Sequence, residues 1–252
     1  MSFSHSPKIV TDGLVLALDA GNVKSYVSGS TTWFDKSGYG NNATLINGPT
    51  FSTESLGSIV FDGVNDYAQY TLRSTITEFQ YSSSFTIECF TKITENTLNG
   101  YLVDNRAVDG SGTNYTGWGL LQNEGTILGF VGGYPSFAYD WRNINTSTTD
   151  FNSTVFGKWA HIVWVNDGTL VGSKIYLNGI NATSQSYDNN TPPYTINYTG
   201  SHRLTLGMSP ADGTPGGHFL SGSIAVARVY NRALTQAEVS QNFNALRGRF
   251  GI

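Results

Sequence analysis

The stretch SFTIECFTKI, Ser84 to Ile93, alternates strictly enough to constrain the whole chain. Phe85, Ile87, Cys89 and Ile93 fall on one face, with Thr86, Glu88 and Lys92 on the other. A period of two suits a half-buried strand and cannot build the apolar stripe of a helix. Similar runs recur along the sequence, each closed by turn residues. KWAHIVWVNDG is apolar on both faces from Trp159 to Val165, as a central strand should be, and ends at Asn166-Asp167-Gly168. In SKIYLNGINATS, Asn178-Gly179 supplies the two left-handed positions of a type I′ turn between strands at Lys174–Leu177 and Ile180–Ser184. Further strands are expected at Leu14–Asp19, Ser58–Phe61, Tyr67–Leu72, Tyr101–Val103, Trp118–Gln122, Thr126–Val131, Arg203–Met208 and Ser223–Tyr230. Many short strands without helices between them imply an all-β sandwich of two sheets rather than an α/β fold.

One helix is expected, at the C-terminal end. Thr235 and Glu238 make a capping box, Val239, Phe243 and Leu246 form one apolar stripe, and Gly248 can close the helix. The polar stretch Ser184–Gly200 and the Gly/Pro-rich stretch Ser209–Gly217 read as surface loops. The organisation is therefore an N-terminal arm over residues 1–11 and one domain over 12–252.

Composition narrows the function classes. Charged residues make up 13% of the 252, against about 25% in an average soluble domain. The net charge of −4 gives no electrostatic reason to bind nucleic acid, and no run of apolar residues is long enough for membrane insertion. The only cysteine is Cys89, so no internal disulfide can form. MSFSHSPKIV has neither the basic nor the apolar region of an export signal.

The polar groups of SIVFDGVNDYAQY, namely Asp62, Asn65 and Asp66, read as the corner of a hairpin, since Gly, Asn and Asp accept the angles turns require. DGVND does not match the spacing of an EF-hand loop. Catalytic residues: none are expected. A glycosidase needs two carboxyl groups about 5–9 Å apart, and Glu88 has no acidic partner two or four residues away. His161, inside its strand beside Trp159, reads as a hydrogen-bonded core residue. Arg228 is expected to share a face with Ile224, Val226 and Tyr230, where a guanidinium needs a carboxylate. Asp19 or Asp62 could serve, as a structural ion pair whose loss lowers stability. An aromatic stretch, FVGGYPSFAYDWRN, carries Tyr134, Tyr139, Trp141 and Arg142. These residues are candidates for stacking on a sugar, or else for filling the core and a subunit interface.

The blocks DGLVLALDAGN, WFDKSGYGNNATLINGPTF, SIVFDGVNDYAQY, KWAHIVWV…KIYLNG and SGSIAVARVYNRALTQAEVSQNFNALRGRF follow in this order. Together they resemble the laminin-G-like branch of the concanavalin A-like lectin/glucanase superfamily. The resemblance implies a jelly-roll sandwich of two antiparallel sheets with ligand sites on the concave face or rim loops. It also implies calcium as the common metal, for which Asp104, Asn105 and Asp109 are the best local ligand supply and Asp35, Asn41 and Asn42 the next. No cofactor is otherwise required. The glucanase branch carries a Glu-x-Asp-x-Glu run, which this sequence lacks.

Stand-alone chains opening on DGLVLALDAGN resemble virion proteins of tailed bacteriophages. The implied function is a non-enzymatic, lectin-like virion protein, for capsid decoration or attachment. Its partners would be other virion proteins, further copies of itself as a homo-oligomer, and cell-surface glycans. The alternatives are an extracellular, calcium-dependent carbohydrate-binding module and a glycoside hydrolase.

Overall fold

A computed structural model describes residues 8–70, 79, 82–96, 99–108, 115–136, 138–188, 196, 203–209 and 218–252. Two antiparallel sheets pack face to face. The eight-stranded sheet runs in the order Ile180–Asn181, Lys174–Leu177, Trp159–Asp167, Ser84–Ile93, Ser221–Tyr230, Ser58–Asp62 and Thr50–Ser52. Its eighth strand, Leu14–Asp19, lies end to end with Ser58–Asp62 along Ser221–Tyr230. The ten-stranded sheet runs Thr183–Asp188, Ala138–Thr146, Thr126–Ser136, Tyr115–Asn123, Gly100–Asp104, Leu204–Leu206, Tyr67–Tyr70, Ala43–Ile46 and Thr32–Trp33, with Ala107–Val108 beside Tyr115–Asn123. Strands adjacent in the sheets are often far apart in sequence, as a jelly roll requires.

The alternation fixes what lies between the sheets. Phe85, Ile87 and Cys89 meet Trp118, Leu120, Ile127 and Trp164 in one continuous core. The Phe79 and Phe85 rings stack at 4.4 Å, and the Trp164 ring stands edge-on to Phe85 at 4.8 Å. The Asn178-Gly179 turn forms as expected, with φ of 49° and 79°. So does the corner at Asp62, whose Oδ1 accepts from the backbone N–H groups of Val64, Asn65 and Asp66. Asp66 Oδ2 returns the contact to the N–H of Asp62. Those polar groups hold a turn.

The helix spans Gln236–Phe250 and is capped reciprocally by Thr235 and Glu238. It ends at Gly251, with φ 68°, and not at Gly248, which lies inside it. The helix packs on the outer face of the eight-stranded sheet: Val239 joins Val163, Val165 and Tyr230, and Phe250 stacks on Phe90 at 4.6 Å. That sheet is consequently buried on both sides, and Ser221–Tyr230 is buried at every position. Short helical segments also occur at Glu54–Leu56, Thr148–Asp150 and Phe151–Val155. Among the described residues no helix is long and apolar enough to cross a membrane.

Two expectations need correction. The loop expected from Ser184 begins instead as a strand, Thr183–Asp188, at the edge of the ten-stranded sheet. Arg228 does share a face with Val226 and Tyr230, but Ile224 does not. The register shifts between Ile224 and Val226, so Ile224 enters the inter-sheet core while Val226 turns outward under the helix. A β-bulge inserts one residue and reverses the faces beyond it.

Candidate functional site

Two buried carboxylates organise the polar chemistry, one outside each sheet. The first is Glu88, beneath the C-terminal helix. Arg228 Nη1 donates to its Oε1 at 2.8 Å, and His161 Nε2 to the same oxygen at 3.0 Å. Asn242 Nδ2 donates to Oε2 at 2.8 Å, and the Tyr230 hydroxyl lies 3.3 Å from it. The partner of Arg228 is thus Glu88, not Asp19 or Asp62. Asp19 instead binds Arg249 at 2.6 Å, and Asp62 holds the corner. Alternation placed Glu88 opposite the core side of its strand. What could not be read along the sequence is that strand pairing sets Glu88 beside Arg228 and His161.

Burial pushes the Glu88 carboxyl up, but the Arg228 charge, then His161 and Asn242, outweigh it and hold it at about 2. Glu88, His161 and Asn242 are wholly buried. An ionised carboxylate only accepts, so His161 carries its proton on Nε2, with its ring stacked against Phe90 at 4.4 Å and Phe243 at 5.7 Å. As the sequence suggested, His161 is a hydrogen-bonded core residue. The same network anchors the N-terminal segment. Val10 N–H donates to Asn242 Oδ1 at 2.8 Å, and the Val10 carbonyl lies 3.1 Å from the Tyr230 hydroxyl. Glu and His side by side suggest acid–base chemistry, but a group sealed under a helix and saturated with donors cannot reach a substrate.

The second carboxylate is Asp104, on the outer face of the ten-stranded sheet. The backbone N–H of Arg106 donates to its Oδ1 at 2.8 Å, and Arg106 Nε to its Oδ2 at 3.0 Å. The guanidinium reaches Ser209 Oγ at 2.7 Å and lies over the rings of Tyr101, at 4.7 Å, and Phe130, at 5.0 Å. Phe130 can cross its neighbour because that neighbour is Gly119: a Cβ there would stand 2.6 Å from the ring. Here burial dominates and pushes the Asp104 carboxyl up, against the charge and hydrogen bonds of Arg106.

Strand register extends this centre into a row across the whole outer face: Thr32, Thr44, Gln69, Thr205, Asp104, Gly119, Phe130 and Asn143. The middle of the row is buried, whereas Thr44 is exposed at one end. There the exposed Arg203 places Nη1 3.2 Å from Gln69 Oε1. The arrangement is a hydrogen-bonding strip beside a ring-and-guanidinium platform, assembled from eight strands. No local motif announces it.

The other sequence candidates fall as follows. Tyr134, Tyr139, Trp141 and Arg142 have backbones in the strands Thr126–Ser136 and Ala138–Thr146, but their side chains lie outside the described residues, as does all of Asp109. Of the calcium candidates, Asp104 and Asn105 lie among the described residues, and the Arg106 guanidinium stands against the Asp104 carboxylate, with Nε 3.0 Å from Oδ2. Asp35 is also fully engaged. Its oxygens accept from Ala17 N–H, Ser37 N–H, Ser37 Oγ and Asn41 N–H. Among the described residues no three His, Cys, Asp or Glu groups converge as a metal site.

Comparison with known proteins agrees with this architecture. None of the curated protein sequences matches the chain. Of solved structures, the binding domain of Paraclostridial Mosquitocidal Protein 1 is similar over 93% of this chain and 52% of its own, at 21% identity and a TM-score of 0.66. The ligand binding domain of botulinum neurotoxin serotype D, solved in complex with N-acetylneuraminic acid, is similar over 93% of this chain and 51% of its own, at 14% identity and a TM-score of 0.64. The binding domain of botulinum neurotoxin DC, in complex with rat synaptotagmin II, is similar over 94% and 52%, at 14% identity and a TM-score of 0.65. The chain thus spans about half the length of these structures, and the likeness is one of fold. The laminin-G-like family model described as the Concanavalin A-like lectin/glucanases superfamily matches residues 62–240, and the chain belongs to that family.

Proposed function

We propose that this protein is a non-enzymatic, lectin-like recognition domain that binds glycan on the outer face of the ten-stranded sheet and serves as a structural component of a virion. The observation that carries the glycan reading is the registered row, open at Thr44, Gln69 and Arg203 and backed by the Arg106 platform. Sugars offer hydroxyls to such polar strips, and a planar guanidinium matches a carboxylate in two-point fashion. An acidic sugar is therefore the first ligand to test. The sialic acid complex of a neighbour with the same fold supports that choice.

Calorimetry with sialylated and neutral lactose tests it. Binding of the sialylated sugar, weakened about tenfold or more by Arg203→Ala with Gln69→Ala, is the expected result, since each lost charge-assisted bond is worth about 1.5–3 kcal/mol. Failure to bind any sugar on a broad array would remove the glycan reading. The virion placement rests on the resemblance of the DGLVLALDAGN block to particle proteins. It is tested by whether the protein co-sediments with purified particles from its source.

A further inference from the structure

The open end of the ten-stranded sheet carries an aromatic ring beside its polar row. Tyr67–Tyr70 pairs with Ala43–Ile46 in a register that sets Ala43 across from Tyr70, Thr44 from Gln69, Leu45 from Ala68 and Ile46 from Tyr67. Ala43, Ala68 and Tyr70 enter the core between the sheets, with Leu45 packed against it. Alternation therefore sends Thr44, Ile46, Tyr67 and Gln69 to the outer face. There Ile46 stands directly across from Tyr67, and Gln69 lies two residues on, about 7 Å along the strand. Ile46, Tyr67 and Gln69 are half-buried and Thr44 is exposed, so this patch meets solvent.

Arg203 bounds the patch on the other side of Gln69. Leu204–Leu206 runs antiparallel to Tyr67–Tyr70, with Thr205 across from Gln69 and Leu204 across from Tyr70. Arg203 consequently lies beyond Gln69, away from Tyr67, and its Nη1 reaches back to Gln69 Oε1 at 3.2 Å. It is exposed, and among the described residues no carboxylate neutralises it. The Tyr67 ring and hydroxyl likewise have no ring or hydrogen-bond partner among the described residues. Across one face the protein thus sets an apolar shelf, Ile46 and Tyr67, then a polar band, Thr44 and Gln69, then an unpaired cation.

We infer that Tyr67 is a specificity-determining residue of the glycan site: its ring receives the apolar face of the pyranose joined to the acidic sugar that Arg203 holds. The inference rests on the glycan reading above and narrows its ligand from an acidic sugar to an acidic sugar linked to a second pyranose. A pyranose has a face lined with C–H groups, which suits the electron-rich face of a phenol ring. Its rim carries hydroxyls, which suit the Gln69 amide and the Thr44 hydroxyl. The carboxylate of the neighbouring sugar suits the guanidinium. A lone acidic sugar at Arg203 and Gln69 leaves the Tyr67 ring uncovered, whereas a linked pair engages both.

Calorimetry of the full chain with free N-acetylneuraminic acid and with sialylated lactose decides it. The native protein should bind sialylated lactose more tightly than the free acid. Tyr67→Thr removes the ring but keeps a β-branched strand former. It should weaken sialylated lactose about tenfold, as truncating an aromatic anchor does, while leaving the free acid within about twofold of native. Tyr67→Phe keeps the ring and should bind both ligands like the native protein, which also shows that the strand tolerates substitution. Native binding of both sugars with no selective loss in Tyr67→Thr would overturn the inference and leave the acidic-sugar site at Arg203 standing. Native binding of neither sugar would remove that site, and the Tyr67 subsite with it.

Discussion

Glu88 and Asp104 are both wholly buried carboxylates paired with arginine, yet the protein moves them in opposite directions. Glu88 is held at about 2, while Asp104 is raised. The difference lies in how each is surrounded. Glu88 collects donors from three other elements: Arg228 and Tyr230 on one strand, His161 on another, Asn242 on the helix. Asp104 has an arginine two residues away, on its own side of the sheet, whose guanidinium is shared with Ser209 and two rings. A buried charge is tolerated when its partners come from the fold and costs more when few groups solvate it. Glu88 therefore knots the helix and the N-terminal segment to the sheet, whereas the Asp104–Arg106 pair packs against the buried Tyr101 and Phe130 rings on the outer face of the ten-stranded sheet.

The largest effect should come from breaking the Glu88 knot. Glu88→Gln leaves Arg228 buried without a counter-charge, and removing one partner of a buried pair costs about 3–5 kcal/mol. Denaturant unfolding should show it, with loss of the Val10 and helix contacts visible as faster proteolysis at the N-terminal end. The double variant Glu88→Met with Arg228→Met should be less destabilised than the sum of its single variants, by at least about 1 kcal/mol, since neither charge is then stranded. Additive losses would mean that the two groups do not act as a pair.

Acid titration separates the two carboxylates next. The Glu88 pKa is lowered from 4.5 to about 2, so its contribution is complete above pH 4.5 and is lost as pH falls toward 2. Asp104 is raised above 3.8, so the folded state holds that proton more tightly, and whatever Asp104 costs appears as pH rises through its folded pKa. Stability should therefore fall between pH 4.5 and 2. Glu88→Gln should flatten most of that fall, and Asp104→Asn should leave it in place. Glu238, also held at about 2, chiefly by Arg232, adds a smaller slope because that pair is partly exposed and screened. An acid limb unchanged in Glu88→Gln would refute the assignment.

The contrast also shows what a sequence can carry. Alternation located the strands, Asn178-Gly179 its hairpin, and Thr235 with Glu238 the helix start, because each depends on residues a few positions apart. Alternation even set Glu88 apart from Phe85, Ile87 and Cys89. It could not show that a helix covers the far face, so Glu88 read as a solvent-side residue and Arg228 was assigned the wrong partners. The bulge between Ile224 and Val226 was equally hidden, since an extra residue changes faces without changing composition. The row from Thr32 to Asn143 uses eight strands, and only register brings them together.

Asp104→Asn should have the smallest structural effect of these substitutions, about 1 kcal/mol or less. Asn can still accept from Arg106, and a neutral amide is spared the burial that pushes the carboxyl up. The same geometry decides the metal question. A calcium ion at this loop, present at 100 times its dissociation constant, would add about 2.7 kcal/mol to stability, and EDTA would remove it. With the guanidinium against the carboxylate, melting curves with calcium and with EDTA should superimpose, in the native protein and in the Asp104→Asn variant alike. A calcium-dependent rise in Tm that disappears in Asp104→Asn would show that Arg106 yields its place to the ion, and would make the platform a metal-gated site rather than a fixed one.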